Sequence, residues 1–279
     1  MDATSLPASD AGTQNGQAEA GTGRPAGPPQ REFEFTGPSG AQVGFLWPAA
    51  GSRRAPVVLT AHLGSTHKGS AEILDWARVA AGSGQAHVIA IDGPVHGQNS
   101  DHAADRARVL ADFRALWHDG GDGGIAWALE SWGSALAAVR SSDLVDIQAV
   151  GWFGLSMGTA YGIPFLAEHQ EIRAAVLGMW SLAYPNSARI AAAAPAVTCP
   201  VLFQERQDDE RFAAADQRSM FGRFRHPDNV YRQYPGGHVP PGCPQLLDAR
   251  RFLARHLGPY NNGPLPNVAA VGGQERSQQ

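Results

Sequence analysis

The sequence predicts an α/β fold in which a mostly parallel β-sheet carries helices on both faces. Two segments of alternating polar and apolar residues flank Gly37-Pro38-Ser39-Gly40, as in an antiparallel hairpin. Beyond the hairpin, short apolar runs alternate with helical stretches through most of the chain, which favours parallel strands joined by helices. One apolar run leads directly into Gly154-Leu155-Ser156-Met157-Gly158, a sequence typical of a tight turn from a strand into a helix.

Each element follows from a local pattern. Alternation predicts the hairpin strands at Arg31–Thr36 and Gln42–Trp47. Short apolar runs predict strands at Pro56–Ala61, His87–Ile91, Gln148–Phe153, Ala174–Met179, Pro200–Gln204 and Val230–Tyr234. Helical patterns lie at Ala71–Ala81, Ala103–Trp117, Ile125–Arg140, Met157–Glu168, Ser187–Ala194, Ala213–Phe224 and Gln245–His256. Pro164 should kink its helix because proline lacks an N–H.

Length and composition favour one catalytic domain flanked by two tails. The chain has 279 residues, of which 43% are hydrophobic, enough for a sizeable core. We expect a folded domain at residues 31–259. Residues 1–30 are rich in small and polar residues without an apolar run of signal-peptide length, so we expect a disordered tail there. Residues 260–279 are polar and contain glycine and proline, which indicates a flexible tail.

Charge and cysteine content argue against several classes of partner. The net charge of −4 is not that of a nucleic-acid-binding domain. No run of about 18 apolar residues is present, so we expect no membrane partner. Cys199 and Cys243 form neither a disulfide framework nor a metal-ligand pattern, so we expect a cytoplasmic protein without metal or cofactor. The sequence does not indicate an oligomeric state.

Ser156 is the candidate nucleophile. A serine at this turn projects its Oγ above the sheet, and Gly154 and Gly158 allow neighbouring backbone to approach closely. The helix that follows directs its N-terminal N–H groups at the reacting centre.

A serine nucleophile needs a base, and the base needs an orienting acid. His238 follows the last predicted strand on a Gly-rich loop, where it can fold back over the carboxyl ends of the strands. The loop after Pro200–Gln204 offers four carboxylates: Glu205, Asp208, Asp209 and Glu210. We favour Asp209 from its distance beyond the strand, with Asp208 as the alternative. The order serine, acid, histidine then differs from that of chymotrypsin and subtilisin.

The loop after the third strand is expected to provide an oxyanion donor. The backbone N–H of Gly64 would face the N–H of Met157 across the developing negative charge. His62, in the same loop, is expected to bond loop backbone.

Taken together, these segments resemble the α/β-hydrolase superfamily, and within it the dienelactone-hydrolase-like bacterial branch. The segments that carry the resemblance are His62–Lys68, Asp92–Gly97, Gly154–Gly158, Gln207–Phe212 and Gly236–His238. The resemblance implies an eight-stranded sheet, a Ser156–Asp209–His238 triad and an oxyanion hole from Gly64 and Met157. The chain departs from the family at Leu63, where a glycine is usual.

The pocket is expected to have no large cap, and its expected substrate is a neutral, small-to-medium ester or lactone. The segment between Met179 and Pro200 is too short for a large cap domain, while residues 102–124 are expected either to give a modest cover or simply to pack on the core. Leu63 and Trp180 are expected to line the substrate pocket. Because no basic cluster marks this pocket in the sequence, a neutral ester or lactone is the expected substrate.

The leading hypothesis is a cofactor-free serine hydrolase that cleaves carboxylic esters or lactones through an acyl-enzyme. One alternative keeps the fold and cleaves a thioester, an amide or a carbon–carbon bond. The other is a non-catalytic ligand-binding or sensor protein, which predicts a broken triad.

Overall fold

The computed structural model describes residues 28–119 and 121–258, which form an eight-stranded sheet and seven α-helices. The strands are β1 (Arg31–Gly37), β2 (Gly40–Trp47), β3 (Arg54–Ala61), β4 (His87–Ala90), β5 (Asp146–Gly154), β6 (Ile172–Gly178), β7 (Val201–Arg206) and β8 (Val230–Tyr234). The helices are α1 (Ala71–Ala80), α2 (Arg106–Asp119), α3 (Ile125–Arg140), α4 (Met157–Glu168), α5 (Ala188–Ala193), α6 (Ala214–Phe221) and α7 (Cys243–Leu257).

The strand order across the sheet is β1-β2-β4-β3-β5-β6-β7-β8. The pairs β1–β2 and β2–β4 are antiparallel, and every later neighbour is parallel. The predicted fold class, a hairpin followed by a mostly parallel sheet, is confirmed. Because β3 and β5 are central neighbours, their carboxyl ends bring the loops after residues 61 and 154 together.

Each face of the sheet has its own hydrophobic core. In β3, Val57 and Leu59 face one core, while Val58 faces the other. The first core packs under α2 to α6, and the second packs under α1 and α7. In the second core, the rings of Trp76 and Phe153 stack with centroids 4.4 Å apart. Burial on both faces explains why the central strands are continuous apolar runs rather than alternating ones.

Helix boundaries differ from the predicted ones where side chains cap the helix. Helix α2 begins at Arg106, three residues later than predicted, because the Asp105 carboxylate accepts the N–H groups of Ala107 and Arg108 at 3.0 and 3.1 Å. Helix α7 begins earlier than predicted, at Cys243, because the side chain of Gln245 accepts the N–H of Gly242 at 3.0 Å and so organises the first turn.

The two predicted tails lie almost wholly outside the described residues, which begin at residue 28 and end at residue 258. Within the described part, β1 begins at Arg31 and α7 ends at Leu257. None of the helices described is long and apolar enough to cross a bilayer.

A buried threonine ties α4 to the strands on either side of it. The Thr159 Oγ1 accepts the N–H of Gly178 at 2.8 Å and lies 2.6 Å from the Gly178 carbonyl oxygen. It also lies 3.0 Å from the carbonyl oxygen of Gly154. One hydroxyl therefore connects the ends of β5 and β6 to the first turn of α4.

Replacing Thr159 by valine keeps the shape of the side chain and removes this hydroxyl. Because the N–H of Gly178 then loses its acceptor, we expect Thr159→Val to lower the free energy of unfolding by about 1–3 kcal/mol. Urea denaturation measures the loss. Thr60→Val is the matched control, because Thr60 is equally buried and its hydroxyl makes one longer contact, 3.3 Å, to the carbonyl of Val58. Equal losses in the two variants would contradict the assigned role of Thr159.

Candidate active site

Ser156 occupies the turn between β5 and α4 in a conformation that non-glycine residues rarely adopt. Its φ is 54° and its ψ is −117°. Such a backbone costs on the order of 1–3 kcal/mol and persists only where its surroundings hold it. The Ser156 N–H donates to the carbonyl of Gly178 at 2.9 Å, which anchors the turn to the end of β6.

Close packing around this turn requires glycine. A Cβ on Gly154 would lie 2.8 Å from the carbonyl oxygen of Gly158. A Cβ on Gly158 would lie 3.1 Å from the Cβ of Ala61 at the end of β3. The motif glycines therefore allow α4 to start directly against the strand ends, as predicted from the sequence.

Three side chains from three loops form a hydrogen-bonded chain. The Ser156 Oγ lies 3.0 Å from the His238 Nε2, and the His238 Nδ1 lies 2.9 Å from the Asp209 Oδ2. The side chain of His238 is 6% exposed and that of Asp209 is fully buried. In this shielded environment the Asp209 carboxylate accepts Nδ1–H and leaves Nε2 to accept from the serine.

Asp209 lies on the loop of residues 207–213, here called the acid loop, and the other three candidate carboxylates have different partners. The Asp208 Oδ2 accepts the N–H of Gly236 at 3.1 Å, and the Glu210 Oε2 accepts the backbone N–H of His238 at 2.8 Å. The hydrogen bond from His238 lowers the pKa of Glu210. Glu205 is fully buried and accepts from Gln233 at 2.8 Å and from Tyr231, both on β8. The geometry thus pairs His238 with Asp209 and directs Asp208 to the backbone.

Gly64 and Met157 lie together beside the serine. A Cβ on Gly64 would lie 3.6 Å from the Cβ of Met157, and Gly64 lines the same cavity as Ser156. Among the described residues, neither the N–H of Gly64 nor that of Met157 has a protein acceptor. Met157 is the first residue of α4, so its N–H belongs to the positive end of the helix.

A cavity of about 230 Å³ opens at Ser156. Its remaining walls are Gly64, Leu110, Phe113, Arg114, Trp180, Tyr184, Arg211 and Phe212. Trp180 is among them, as the sequence predicts, and its indole N–H donates to the Ser187 Oγ at 3.0 Å. Leu63 is not among them, because it packs into the second core with the residues under α1 and α7.

Helix α2 forms one wall of this cavity. Leu110, Phe113 and Arg114 come from it, and Phe113 is 4% exposed. The segment 102–124 therefore contributes both to the core and to the wall beside Ser156, which combines the two interpretations left open by the sequence.

Two arginines lie at the cavity, contrary to the expectation of a pocket without basic groups. Arg114 is on α2 and Arg211 is on the acid loop, and both contribute to the wall. Burial raises the pKa of Tyr184, while the nearby Arg114 and Arg211 act in the opposite direction. The sequence could not indicate this pair, because the two residues are far apart in the chain and meet only when α2 packs beside the acid loop.

Comparison with solved structures identifies the fold. A cold-adapted esterase from an Arctic intertidal metagenomic library matches with a TM-score of 0.72 and 29% identity, over 86% of this chain and 99% of that one. The chain has the α/β-hydrolase fold. A dienelactone hydrolase from Anabaena variabilis (TM-score 0.62, 18% identity, 84% of this chain and 100% of that one) shares it. An esterase from Pyrococcus furiosus (TM-score 0.64, 15% identity, 82% of this chain and 94% of that one) shares this fold too. No protein-family model and no curated protein matches the sequence.

Within this fold, buried histidines support the loop that carries Gly64. The His62 Nδ1–H donates to the Leu63 carbonyl at 2.9 Å, and its Nε2 accepts the N–H of Gly93 at 2.9 Å. His96 packs against His62 with ring centroids 4.9 Å apart. Burial lowers the pKa of both imidazoles and of His87, so all three are neutral at pH 7. His62 thus bonds loop backbone, as expected.

These neutral histidines make stability dependent on pH. Below about pH 6.5 the unfolded chain binds protons at His62, His87 and His96 that the folded chain does not, so the free energy of unfolding falls as pH falls. Each group contributes up to about 1.4 kcal/mol per pH unit. Urea unfolding at pH 7, 6 and 5 measures the slope, and His62→Gln should reduce it. His67→Gln, at an exposed position of the same loop, should leave it unchanged. A stability independent of pH across this range would contradict the assignment.

Proposed function

We propose that this chain is a carboxylic-ester hydrolase in which Ser156, His238 and Asp209 form a catalytic triad. The observation that carries the proposal is the chain of hydrogen bonds from the Ser156 Oγ through His238 to Asp209, at 3.0 and 2.9 Å, which begins at a serine that lines a cavity. The esterase with 29% identity over most of both chains supports ester hydrolysis.

Acylation would use the imidazole as base. With Nδ1–H donated to Asp209, the His238 Nε2 removes the proton from the Ser156 Oγ as the oxygen attacks the ester carbonyl. The buried Asp209 carboxylate stabilises the imidazolium that forms. The protonated Nε2 then donates its proton to the departing alcohol, which leaves an acyl-enzyme on Ser156.

The oxyanion of the tetrahedral intermediate would lie between Gly64 and Met157. Their N–H groups have no protein acceptor among the described residues, so they are available to the developing negative charge. Donors of this kind typically contribute about 3–4 kcal/mol each to transition-state stabilisation. The start of α4 adds the favourable field of the helix N-terminus.

Deacylation would repeat the same steps with water. His238 removes a proton from a water molecule, which attacks the acyl carbonyl, and Ser156 leaves with that proton. No metal or redox group enters these steps, and the cavity walls supply the binding surface.

The cavity indicates a small ester or lactone. Phe113, Trp180 and Phe212 form its apolar wall, which suits a short acyl group. Arg114 and Arg211 favour neutral or negatively charged substrates over cationic ones.

The free thiols of Cys199 and Cys243 support a reducing, cytoplasmic location.

Thioesters, amides and carbon–carbon bonds remain alternatives for the same residues, and a substrate panel separates them. A purely binding protein would have no need of this hydrogen-bonded chain.

Removal of the serine hydroxyl tests the nucleophile. We expect Ser156→Ala to lower the turnover of p-nitrophenyl esters by at least about 10³-fold, because no other group can form the acyl-enzyme. A series from acetate to octanoate, followed by release of p-nitrophenol, measures both this loss and the size of the pocket. Thermal unfolding of the same samples verifies folding. Full activity in the variant would exclude Ser156 as the nucleophile.

Exchange of Asp209 for asparagine tests the acid. The Asp209 Oδ1 accepts the N–H groups of Arg211 and Phe212 at 2.9 and 3.0 Å, so an asparagine would keep its oxygen there and present its NH₂ to His238. The imidazole would then take the wrong tautomer, and we expect kcat to fall by about 10⁴-fold.

Asp208→Asn is the matched control for this exchange. Its amide oxygen can still accept from Gly236, so activity should change little. A larger loss in Asp208→Asn than in Asp209→Asn, measured as kcat on the same ester, would reverse the assignment of the acid.

A further inference from the structure

Arg206 is a buried arginine at the last position of β7, three residues before Asp209. It is 8% exposed. Its Nη1 donates to the carbonyl of Pro235 at 2.7 Å, and its Nη2 donates to the carbonyl of Pro240 at 2.9 Å. Both acceptors belong to the loop that carries His238, one on each side of the histidine.

The two carbonyls bound by Arg206 lie at the two ends of residues 235–240, a segment here called the arc. Pro235 directly follows β8, and Pro240 comes shortly before α7. Gly236, the second residue of the arc, has a φ of 100°, a backbone conformation that glycine adopts without strain. A single planar guanidinium therefore fixes both ends of the segment whose middle residue faces Ser156.

Two carboxylates of the acid loop also bind the arc. Asp208 accepts the N–H of Gly236, and the Asp208 N–H donates to the Gly236 carbonyl at 3.2 Å. Glu210 accepts the N–H of His238. These two carboxylates hold one side of the arc from the exposed face, whereas Arg206 holds its two ends from the buried face.

We propose that Arg206 is the positioning residue for His238: its bidentate contact with the carbonyls of Pro235 and Pro240 sets the distance between the imidazole and Ser156. The proposal deepens the proposed hydrolase function and rests on it for its kinetic consequence. Arg206 does not line the cavity at Ser156, so it acts on catalysis through His238 and not on the substrate. This separates it from Arg114 and Arg211, which do line that cavity.

Geometry, and not charge alone, is what this position requires. A guanidinium presents parallel donors in a rigid plane that can reach two acceptors at once, whereas an ammonium is a point charge on a flexible stem. Lysine at position 206 would keep the positive charge near Asp209 and lose one of the two carbonyls. The released carbonyl would free one end of the arc, and the Ser156–His238 contact of 3.0 Å would be made only part of the time.

The test compares Arg206→Lys and Arg206→Ala with Arg250→Lys and Arg250→Ala in the full-length chain. Arg250 is a suitable control because it is also buried, at 3% exposed, and lies on α7 with its Nε donating to the Gln85 side chain at 2.9 Å. The readouts are kcat and KM on p-nitrophenyl acetate, the melting temperature, and the downfield proton resonance of the His238 Nδ1–H in protein without substrate.

We expect both Arg206 variants to lose at least about tenfold in kcat, with KM within about threefold of the wild type, while the Arg250 variants keep the wild-type kcat at a comparable loss in melting temperature. We also expect the His238 resonance to broaden or vanish in the Arg206 variants only. Arg206→Lys with wild-type kcat would overturn the proposal, since charge alone would then suffice. Equal losses of kcat in the Arg250 variants, or a loss carried by KM, would also overturn it.

The resonance separates this proposal from the hydrolase function. If the wild type cleaves no ester, the hydrolase function fails, and an intact His238 resonance that is lost in Arg206→Lys still supports the positioning role. If the wild type is active and the resonance persists unchanged in Arg206→Lys and Arg206→Ala, the positioning role fails while the hydrolase function stands. Arg206→Lys remains informative if Arg206→Ala does not fold.

Discussion

The site depends on the left-handed backbone of Ser156 and on the contacts that hold it there. That conformation directs the Oγ away from the sheet, towards His238, and places Met157 at the start of α4. The N–H of Ser156 bonded to Gly178 and the buried hydroxyl of Thr159 hold the turn against β6. Contacts with the folded sheet thus offset the free energy that this strained residue costs, and they keep its Oγ aligned with His238.

His238 and Asp209 are held in a different way. Ser156 stands on the junction of two regular elements, whereas His238 and Asp209 lie on loops, which are ordinarily mobile. Here backbone groups of the histidine loop accept hydrogen bonds from the Arg206 guanidinium at the end of β7 and donate to the carboxylates of Asp208 and Glu210 on the acid loop. The two irregular segments are thus joined by several hydrogen bonds.

Much of this arrangement could be predicted from the sequence, because local rules control it. The bounds of α3, α4 and β8 agree with the predicted ones, and the GxSxG turn placed Ser156 at the end of a central strand. The sequence favours Asp209 as the acid but keeps Asp208 as an alternative, since neighbouring loop residues look alike until a third group selects one of them. The roles of Arg114, Arg206 and Arg211 depend on contacts between distant segments, which no local pattern encodes. Leu63 was expected in the pocket because it neighbours Gly64, yet its side chain turns to the opposite face of the sheet.

Helix α2 lines the cavity at Ser156 but does not take part in the hydrogen-bonded chain that the loops form. It supplies Leu110, Phe113 and Arg114 to the cavity, and among the described residues it makes no hydrogen bond to Ser156, His238 or Asp209. Substitution of Leu110 or Arg114 would alter the wall of the cavity without removing a hydrogen bond of the Ser156–His238–Asp209 chain. Under the proposed hydrolase function, evolution could diversify the accepted acyl groups through this one helix while the reaction stayed constant, because the residues that would choose a substrate are separate from those that would transform it.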